Sequence, residues 1–152
     1  MVWSSLVRVG MDAVMAMTRS QMMARIGPKD TVPEMILRKA LHAQGMRYRL
    51  RCGYLPGGPD IVMRPYRLAI FVHGCFWHRH PGCRHATSPK SNTEFWNGKF
   101  ARNRERDRRK REQLLSTGWT VGAVWECELR DPRSLDECVE AVRVLREEER
   151  TA

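Results

Sequence analysis

Histidine and cysteine side chains are concentrated in one short stretch of the chain, residues 73–85. This stretch contains four of the five histidines and two of the five cysteines. Imidazole and thiolate are the ligands that zinc prefers, usually in a tetrahedral set of four. The spacing favours a zinc site whose ligands are Cys75, His80, Cys83 and, from the end of a distant predicted strand, Cys127. Such a closed site is structural and leaves His73 and His78 for other chemistry; the alternative is a solvated histidine-rich loop with buried free cysteines.

A carboxylate stands at the start of another predicted strand, where Asp60 follows Pro59. An aspartate projecting from a sheet edge can bind a hard cation such as Mg²⁺ through oxygen, although a Pro-Asp pair at a turn is more often structural. The partner strand in the predicted hairpin ends at Val72, directly before the histidines. The sequence therefore predicts a metal-binding carboxylate and imidazoles at one end of the same sheet.

The charge balance is that of a protein that binds nucleic acid, with a formal net charge of +10 and a pI near 10. The stretch 99–111 lies on a predicted helix and holds eight basic and two acidic residues. It can bind DNA phosphates through residues such as Lys99, Arg102 and Arg106. Such binding depends on salt concentration and is independent of the base sequence. The alternative is an ordinary solvated helix face on which Glu105 and Asp107 form local ion pairs.

Two aromatic pairs lie in or beside these polar segments, Phe76-Trp77 and Phe95-Trp96. Exposed aromatic side chains in basic surroundings can stack on bases or wedge between base pairs. Aromatic residues are more often part of a core, and we assign Trp119 and Trp125, inside a predicted strand, to the core.

Periodicity and capping residues predict an α/β fold that positions these groups. A helix capped by Asp30 or Thr31 should end near Gln44, and the last helix should be capped by Ser134. The predicted strands are 46–51, 60–63, 68–72 and 119–125, and a capping box at 91–94 opens a long helix that ends near Thr117.

Length and composition indicate one domain, because 152 residues suffice to bury a core. The hydrophobic fraction of 42% argues against disorder, and no apolar run is long enough to cross a bilayer. We expect residues 1–17 to be an N-terminal extension, with Met17 as an alternative start, and residues 18–152 to form the domain. The interrupted N-terminus is a poor signal peptide, so we expect a cytoplasmic protein with reduced thiols.

Five motifs in one order resemble those of the very short patch repair (Vsr) mismatch endonucleases. The resemblance covers about residues 18–130 and rests on the motifs at 55–60, 71–78, 93–96, 103–108 and 118–127. It implies a restriction-endonuclease-like mixed sheet flanked by helices, with a structural zinc. It also implies a Mg²⁺-dependent nick in double-stranded DNA, 5′ to the thymine of a T:G mismatch that arises by deamination of 5-methylcytosine.

The resemblance also implies roles for individual residues. Asp60 and the backbone carbonyl of Val72 would bind Mg²⁺. His78 would be the general base that activates water, His73 would assist at the scissile phosphate, and Glu34 would orient the histidine or its water. The zinc ligands would be Cys75, His80, Cys83 and Cys127, and the side chains that insert beside the mismatch would be Phe76, Trp77 and Trp96.

Two departures from the family pattern bear on these roles. Gly58 replaces a basic residue that usually precedes the Pro-Asp pair, and Pro81-Gly82 lengthens the spacing between zinc ligands so that His85 competes with His80. Two other functions fit the same residues: a zinc-stabilised DNA-binding module without catalysis, and a related nuclease acting on paired DNA. We expect a nucleoid-associated monomer, and the resemblance implies contacts with general mismatch-repair proteins.

Overall fold

A computed structural model of the chain describes residues 29–151, so the predicted extension, residues 1–17, and residues 18–28 lie outside the described residues. The described part contains three strands, five α-helices and one 3-10 turn. The strands are β1 (Ile61–Met63), β2 (Leu68–His73) and β3 (Thr120–Trp125). The helices are α1 (Val32–Ala43), α2 (Cys75–His78), α3 (Thr93–Ser116), α4 (Glu126–Arg130) and α5 (Pro132–Thr151), with a 3-10 turn at Arg64–Tyr66. Among these helices, none combines the length and apolar character needed to cross a membrane.

The three strands form one mixed sheet in the order β1-β2-β3. β1 and β2 form the predicted antiparallel hairpin, with Ile61 opposite Ile70, and β2 runs parallel to β3, with His73 opposite Trp125. The start of β1 and the ends of β2 and β3 therefore lie at the same edge of the sheet, which we call the carboxyl edge. Asp60 precedes β1, while α2 and α4 directly follow β2 and β3. The segments predicted to carry chemistry thus meet at this edge.

Helices cover both faces of the sheet because side chains alternate along β2. Leu68 and Ile70 face the larger core cluster, which α1 enters through Leu37 and Leu41 and α5 through Val142. The opposite face packs on α3, and the buried residues there are Ala69, Val62, Leu114, Cys52 and Leu55. The result is a three-layer mixed α/β arrangement in which the long basic helix lies on one face.

The predicted strand at 46–51 is wrong. Only Arg49 pairs, through hydrogen bonds in both directions between its backbone and that of Val62, each 2.8 Å. Leu50 is 40% exposed and Arg51 adopts a φ of 50°, so the chain leaves the ladder after one pair. Left-handed backbone cannot continue a strand, although the side chains alternate.

Other boundaries are confirmed within one or two residues, apart from two short helices, the start of the last helix, and the cap of α3, which is Asn92 without a side-chain hydrogen bond instead of Ser91. Two short helices, α2 and α4, occupy positions where no helix was predicted, since four or five residues are too few to show a 3.6-residue period. The last helix begins at Pro132, and the capping side chain is Asp131 instead of Ser134. The Asp131 carboxylate accepts hydrogen bonds from the backbone N–H and the hydroxyl of Ser134, at 2.9 and 2.8 Å.

Candidate active site and metal centre

Asp60 is held at the carboxyl edge by the hairpin itself. Its carboxylate Oδ2 accepts a 2.7 Å hydrogen bond from the Val72 N–H, and its own N–H donates to the carbonyl of Ile70 at 3.0 Å. Burial raises the pKa of Asp60, although the hydrogen bond from Val72 opposes this rise and the charge of Glu34 adds to it. A cation bound beside Asp60 would favour its charged form, so the position suits an oxygen ligand for a hard metal.

Glu34 lies in the first turn of α1 and is buried. Its carboxylate Oε2 accepts a 2.8 Å hydrogen bond from Nη2 of Arg38, one turn later in the same helix and also buried. The charges of both residues act on Asp60, the glutamate raising and the arginine lowering its pKa. The structure therefore places the predicted Glu34 near Asp60 and adds Arg38, which sequence reasoning missed, as the cation that orients it.

His78 and Asp107 form a hydrogen-bonded pair between α2 and α3. The distance between His78 Nδ1 and Asp107 Oδ2 is 2.5 Å. Burial favours the neutral acid, but the hydrogen bond and charge of His78 outweigh it, so the pKa of Asp107 is lowered. Sequence reasoning considered Asp107 only as a partner in local ion pairs, under the alternative of a solvated helix face, and no local pattern distinguishes it from Glu105.

His73 lies against His78 with the two imidazole rings stacked, their centroids 4.1 Å apart and their planes 3° apart. Burial and the charge of the neighbouring His78 lower the pKa of His73 to about 4, so this ring is neutral at pH 7. Ligand atoms of His73, His78 and Asp107 lie within 4.8 Å of one another. Because lone pairs of stacked imidazoles run parallel instead of converging, the trio is better arranged for proton transfer than for sharing a metal ion.

The four predicted zinc ligands come together from three parts of the chain. Their ligand atoms all lie within 4.8 Å of one another. His80 Nδ1 is 3.8 Å from Cys75 Sγ and 3.3 Å from Cys127 Sγ. Around a tetrahedral zinc, with Zn–S about 2.3 Å and Zn–N about 2.0 Å, a sulfur and a nitrogen lie about 3.5 Å apart. The donor set and its spacing therefore fit zinc.

His80 completes this set, and His85, the competitor considered above, does not belong to it. His85 is exposed and accepts a 3.3 Å hydrogen bond from its neighbour Arg84. The His80 ring is stacked on the indole of Trp125, with centroids 4.2 Å apart and planes 7° apart. Burial raises the pKa of the Cys75 thiol to about 12, whereas the backbone N–H of His85 lowers the pKa of Cys83. A bound cation would stabilise the thiolates that burial alone disfavours.

The predicted wedge residues belong to an aromatic cluster between α2 and α3. Phe76 is 6% exposed and Trp96 is 9% exposed, and Trp77 is half-buried. Phe76 makes edge-to-face contacts with both tryptophans, at centroid distances of 5.2 and 5.5 Å. Insertion of Phe76 or Trp96 into DNA therefore requires this cluster to open, whereas Trp77 is already accessible. Phe95, which was not chosen as a wedge, is 49% exposed.

The basic residues predicted to contact phosphates follow this cluster along α3. The Lys99 ammonium lies 4.8 Å from the centre of the Trp77 ring, a cation–π contact. Arg106 donates to Oδ1 of Asn103 at 3.0 Å, and Nδ2 of Asn103 donates to the Trp77 carbonyl at 3.1 Å. Arg102 is exposed. Asn103, buried and missed by sequence reasoning, thus fixes α2 on α3.

The sequence of this chain is similar to those of several known proteins. A family model described as DNA mismatch endonuclease Vsr matches residues 11–84, which include Glu34, Asp60, His73 and His78. Type II nicking enzyme V.XorIIP of Xanthomonas oryzae pv. oryzae is 48% identical over 118 residues, covering 78% of this chain and 86% of the relative. DNA mismatch endonuclease Vsr of Escherichia coli is 46% identical over 118 residues, covering 78% and 75%.

A third relative, type II nicking enzyme V.NmeAIP of Neisseria meningitidis, is 45% identical over 113 residues, which cover 74% of this chain and 80% of the relative. Identity at this level extends over most of both chains, beyond the region that the family model matches. This chain belongs to the Vsr family of DNA mismatch endonucleases.

Proposed function

We propose that this protein is a DNA mismatch endonuclease that nicks one strand of double-stranded DNA, 5′ to the thymine of a T:G mismatch produced by deamination of 5-methylcytosine. The observation that carries the proposal is the His78–Asp107 pair, which lies with His73 near Asp60 at the carboxyl edge. A protein that only binds DNA needs neither a buried carboxylate at a sheet edge nor an imidazole oriented by a second carboxylate. Family membership supports the same reaction class.

His78 is the general base in this proposal. Asp107 accepts a hydrogen bond from Nδ1–H, which leaves the lone pair of Nε2 free to take a proton from water. As that water oxygen bonds to phosphorus, the bond from phosphorus to the leaving oxygen breaks, and the leaving oxygen takes a proton from solvent to become the hydroxyl at the nick. Asp107 then stabilises the imidazolium that forms, in the way that a buried carboxylate supports histidine in other hydrolases. His73, neutral at pH 7, can donate a hydrogen bond to a phosphate oxygen.

Asp60 and the backbone carbonyl of Val72 would hold Mg²⁺, with Glu34 orienting water nearby. The fit rests on the donor chemistry: an aspartate oxygen fixed against the backbone of Val72 by a 2.7 Å hydrogen bond, with a second carboxylate close enough to act on its pKa. When bound, Mg²⁺ supplies positive charge that offsets the negative charge developing on the phosphate. Arg38 holds the Glu34 side chain in place through their ion pair.

Cys75, His80, Cys83 and Cys127 would hold Zn²⁺ as a structural ion. The four donor atoms are of the types and spacing that zinc accepts, and they would complete its shell with no position open for substrate. In this arrangement the metal pins α2, which carries His78, to α4 at the end of β3. The mixed sheet with helices on both faces supports our proposal of a restriction-endonuclease-like fold. We propose residues 18–152 as the endonuclease domain.

DNA binding would combine the basic face of α3 with the aromatic cluster. Lys99, Arg102 and Arg106 would contact phosphates, and Trp77 would insert first beside the mismatch, followed by Phe76 and Trp96 as the cluster opens. Unstacking costs a few kcal/mol and costs least at a mispaired step, so deformability supplies part of the selectivity. Contact with general mismatch-repair proteins, action as a monomer and a location with the DNA in the cytoplasm are parts of the same proposal.

The deciding experiment measures cleavage of end-labelled duplexes that carry T:G, A:T or G:C at one position, with Mg²⁺ or with EDTA. We expect a nick only in the thymine strand of the T:G duplex, only with Mg²⁺, and none with Asp60→Ala. Equal cutting of paired duplexes would instead indicate a nuclease for paired DNA. Binding of the T:G duplex without cleavage, in every flanking sequence tested, would indicate a DNA-binding module.

A further inference from the structure

Gly57 and Lys110 form a close contact between the turn before Asp60 and helix α3. A Cβ atom built on Gly57 would lie 2.6 Å from Cγ, 2.7 Å from Cδ and 2.8 Å from Cβ of Lys110. Real Cβ atoms do not approach carbon atoms this closely, so the backbone of Gly57 lies directly on the aliphatic stem of the lysine. Gly57 also has a φ of 79°, a conformation that glycine adopts without strain.

Lys110 lies beside two residues of the candidate active site, His73 and Asp107. It lines a cavity of about 80 Å³ together with His73 and Asp107, and it lies one turn of α3 beyond Asp107. Its charge acts on both of these residues, lowering the pKa of each. Lys110 is half-buried, whereas the neighbouring Arg109 is exposed and forms an ion pair with Glu105. Its stem thus joins the turn that leads to Asp60 with the helix that carries Asp107.

We propose that Lys110 is a positioning residue for the nicking reaction, whose aliphatic stem braces the turn 55–59 against α3 and so fixes Asp60 relative to Asp107. The two carboxylates come from different elements, and nothing in the hairpin alone sets their separation. A displacement of about 1 Å between reacting groups can cost on the order of a hundredfold in rate. The contact between Lys110 and Gly57 therefore lies where a small movement of Asp60 would have a large effect on the nicking rate. This inference rests on the proposed function for its effect on rate, but not for the contact itself.

The contact can be tested by stability measurements that do not depend on activity. Gly57→Ala introduces both a clash with Lys110 and the strain of a positive φ. Gly58→Ala is the matched control, because Gly58 has a φ of 57° with nothing within 4 Å of the added Cβ. We expect Gly57→Ala to lower the Tm more than Gly58→Ala, and Lys110→Ala to reduce that excess in the double variant, because it removes Cγ and Cδ and leaves only Cβ, at 2.8 Å, against the added Cβ. An equal loss in both glycine variants would overturn the contact.

The positioning role is tested with Lys110→Ala, Lys110→Met and Arg109→Ala in the full chain. Hydrogen exchange at the amides of Gly58, Asp60 and Val72 reports on the turn and on the hydrogen bond to the Asp60 carboxylate. The single-turnover nicking rate at saturating protein reports on catalysis, and Kd for the T:G duplex in EDTA reports on binding. We expect Lys110→Ala to speed exchange and to lower the rate on the order of tenfold to a hundredfold. Lys110→Met, which keeps the stem and removes the charge, should restore most of both.

Arg109→Ala removes one positive charge from the same helix, so any general charge effect appears in its Kd. Equal losses of rate in Lys110→Ala and Lys110→Met would show that the ammonium acts instead of the stem and would overturn the brace. Exchange and rate in Lys110→Ala that match those of Arg109→Ala would also overturn it. If the wild-type protein nicks no duplex, the proposed function fails, whereas the exchange data still decide the brace.

Discussion

The indole of Trp125 makes contact with two histidines of different function. Its face is stacked on the His80 ring at 4.2 Å, and the His73 ring meets it edge-on with centroids 5.2 Å apart. Trp125 ends β3 and is paired with His73 across the parallel strands. One side chain therefore joins the candidate zinc centre to the candidate active site.

Trp125→Leu should weaken zinc retention, because the leucine cannot hold the His80 ring in its ligating orientation. Changes next to a metal ligand typically cost 10- to 100-fold in metal affinity. Competition against a chromogenic chelator measures the effect. Trp119→Leu is the control, since Trp119 precedes β3 at the other end of that strand from Trp125 and packs against the cluster that contains Leu114. Equal zinc affinity in the two variants would show that stacking does not support the ligand.

Asp107→Asn should lower the nicking rate by about 10²- to 10⁴-fold, because the amide no longer stabilises the imidazolium form of His78. Kd for the T:G duplex should change by less than a factor of about three, since no DNA contact is removed. Glu105→Gln on the same helix is the control; Glu105 pairs with Arg108 and Arg109, away from His78. A rate within twofold of wild type for Asp107→Asn would refute the role of the pair.

Cys127→Ser should reduce bound zinc from one ion per chain and lower the Tm together, because three remaining donors hold the metal less tightly. Elemental analysis and thermal unfolding measure the two effects. Cys138→Ser is the control, since Cys138 lies on α5 and contributes to the core instead of the ligand set. Unchanged zinc content in Cys127→Ser would exclude it as a ligand.

Trp77→Ala should raise Kd for the T:G duplex more than for the paired duplex. The lost stacking should weaken the binding free energy of the T:G duplex by about 1–3 kcal/mol. The same variant also frees Lys99 from its cation–π contact, so Lys99→Met is measured beside it. We expect Lys99→Met to weaken binding equally on both duplexes. If Trp77→Ala also weakens them equally, the indole packs without inserting into DNA.

Arg102→Met should reduce the salt dependence of DNA binding by about one counterion, which is a change of roughly 0.9 in the slope of log K against log salt. Arg102 is exposed on α3, where phosphates can reach it. Arg133→Met is the comparison variant, because Arg133 lies on α5 and its side chain is 89% exposed beside Glu137. Identical slopes for Arg102→Met and wild type would place the phosphates elsewhere.

The sequence predicted well those features that depend on neighbouring residues. The β1/β2 hairpin and α3 follow from periodicity and from turn residues, and the ligand spacing around Cys75 brings the Cys/His set together as expected. The strand at 46–51 failed because the alternation of its side chains does not reveal the left-handed backbone at Arg51. Periodicity describes which face is apolar, and it does not describe φ.

Features that depend on distant contacts could not be predicted. Asp107 is 29 residues from His78, and in the basic stretch 99–111 of its own helix it is one of two acids among eight bases. Asp107 differs from Glu105 because it is partly buried between α2 and α3. Glu105 does form ion pairs on the helix surface, as the alternative interpretation expected for both acids. Likewise, the stem of Lys110 on Gly57 depends on the packing of α3 against the turn. Local pattern identified the chemistry of the residues but not these partners.

The parallel pairing of β2 and β3 gives the metal centre a role as a cross-link. Cys75 and Cys127 are 52 residues apart (127 − 75), and the segment between them contains all of α3. With zinc bound, this segment would become a closed ring. A ring of that size lowers the conformational entropy of the unfolded chain, which corresponds to about 4 kcal/mol of stability in the loop-closure treatment. The helix that we propose binds DNA would therefore be tethered at both ends. Removing the metal would release both ends of this helix and, because Cys75 and His78 share α2, the proposed general base with them.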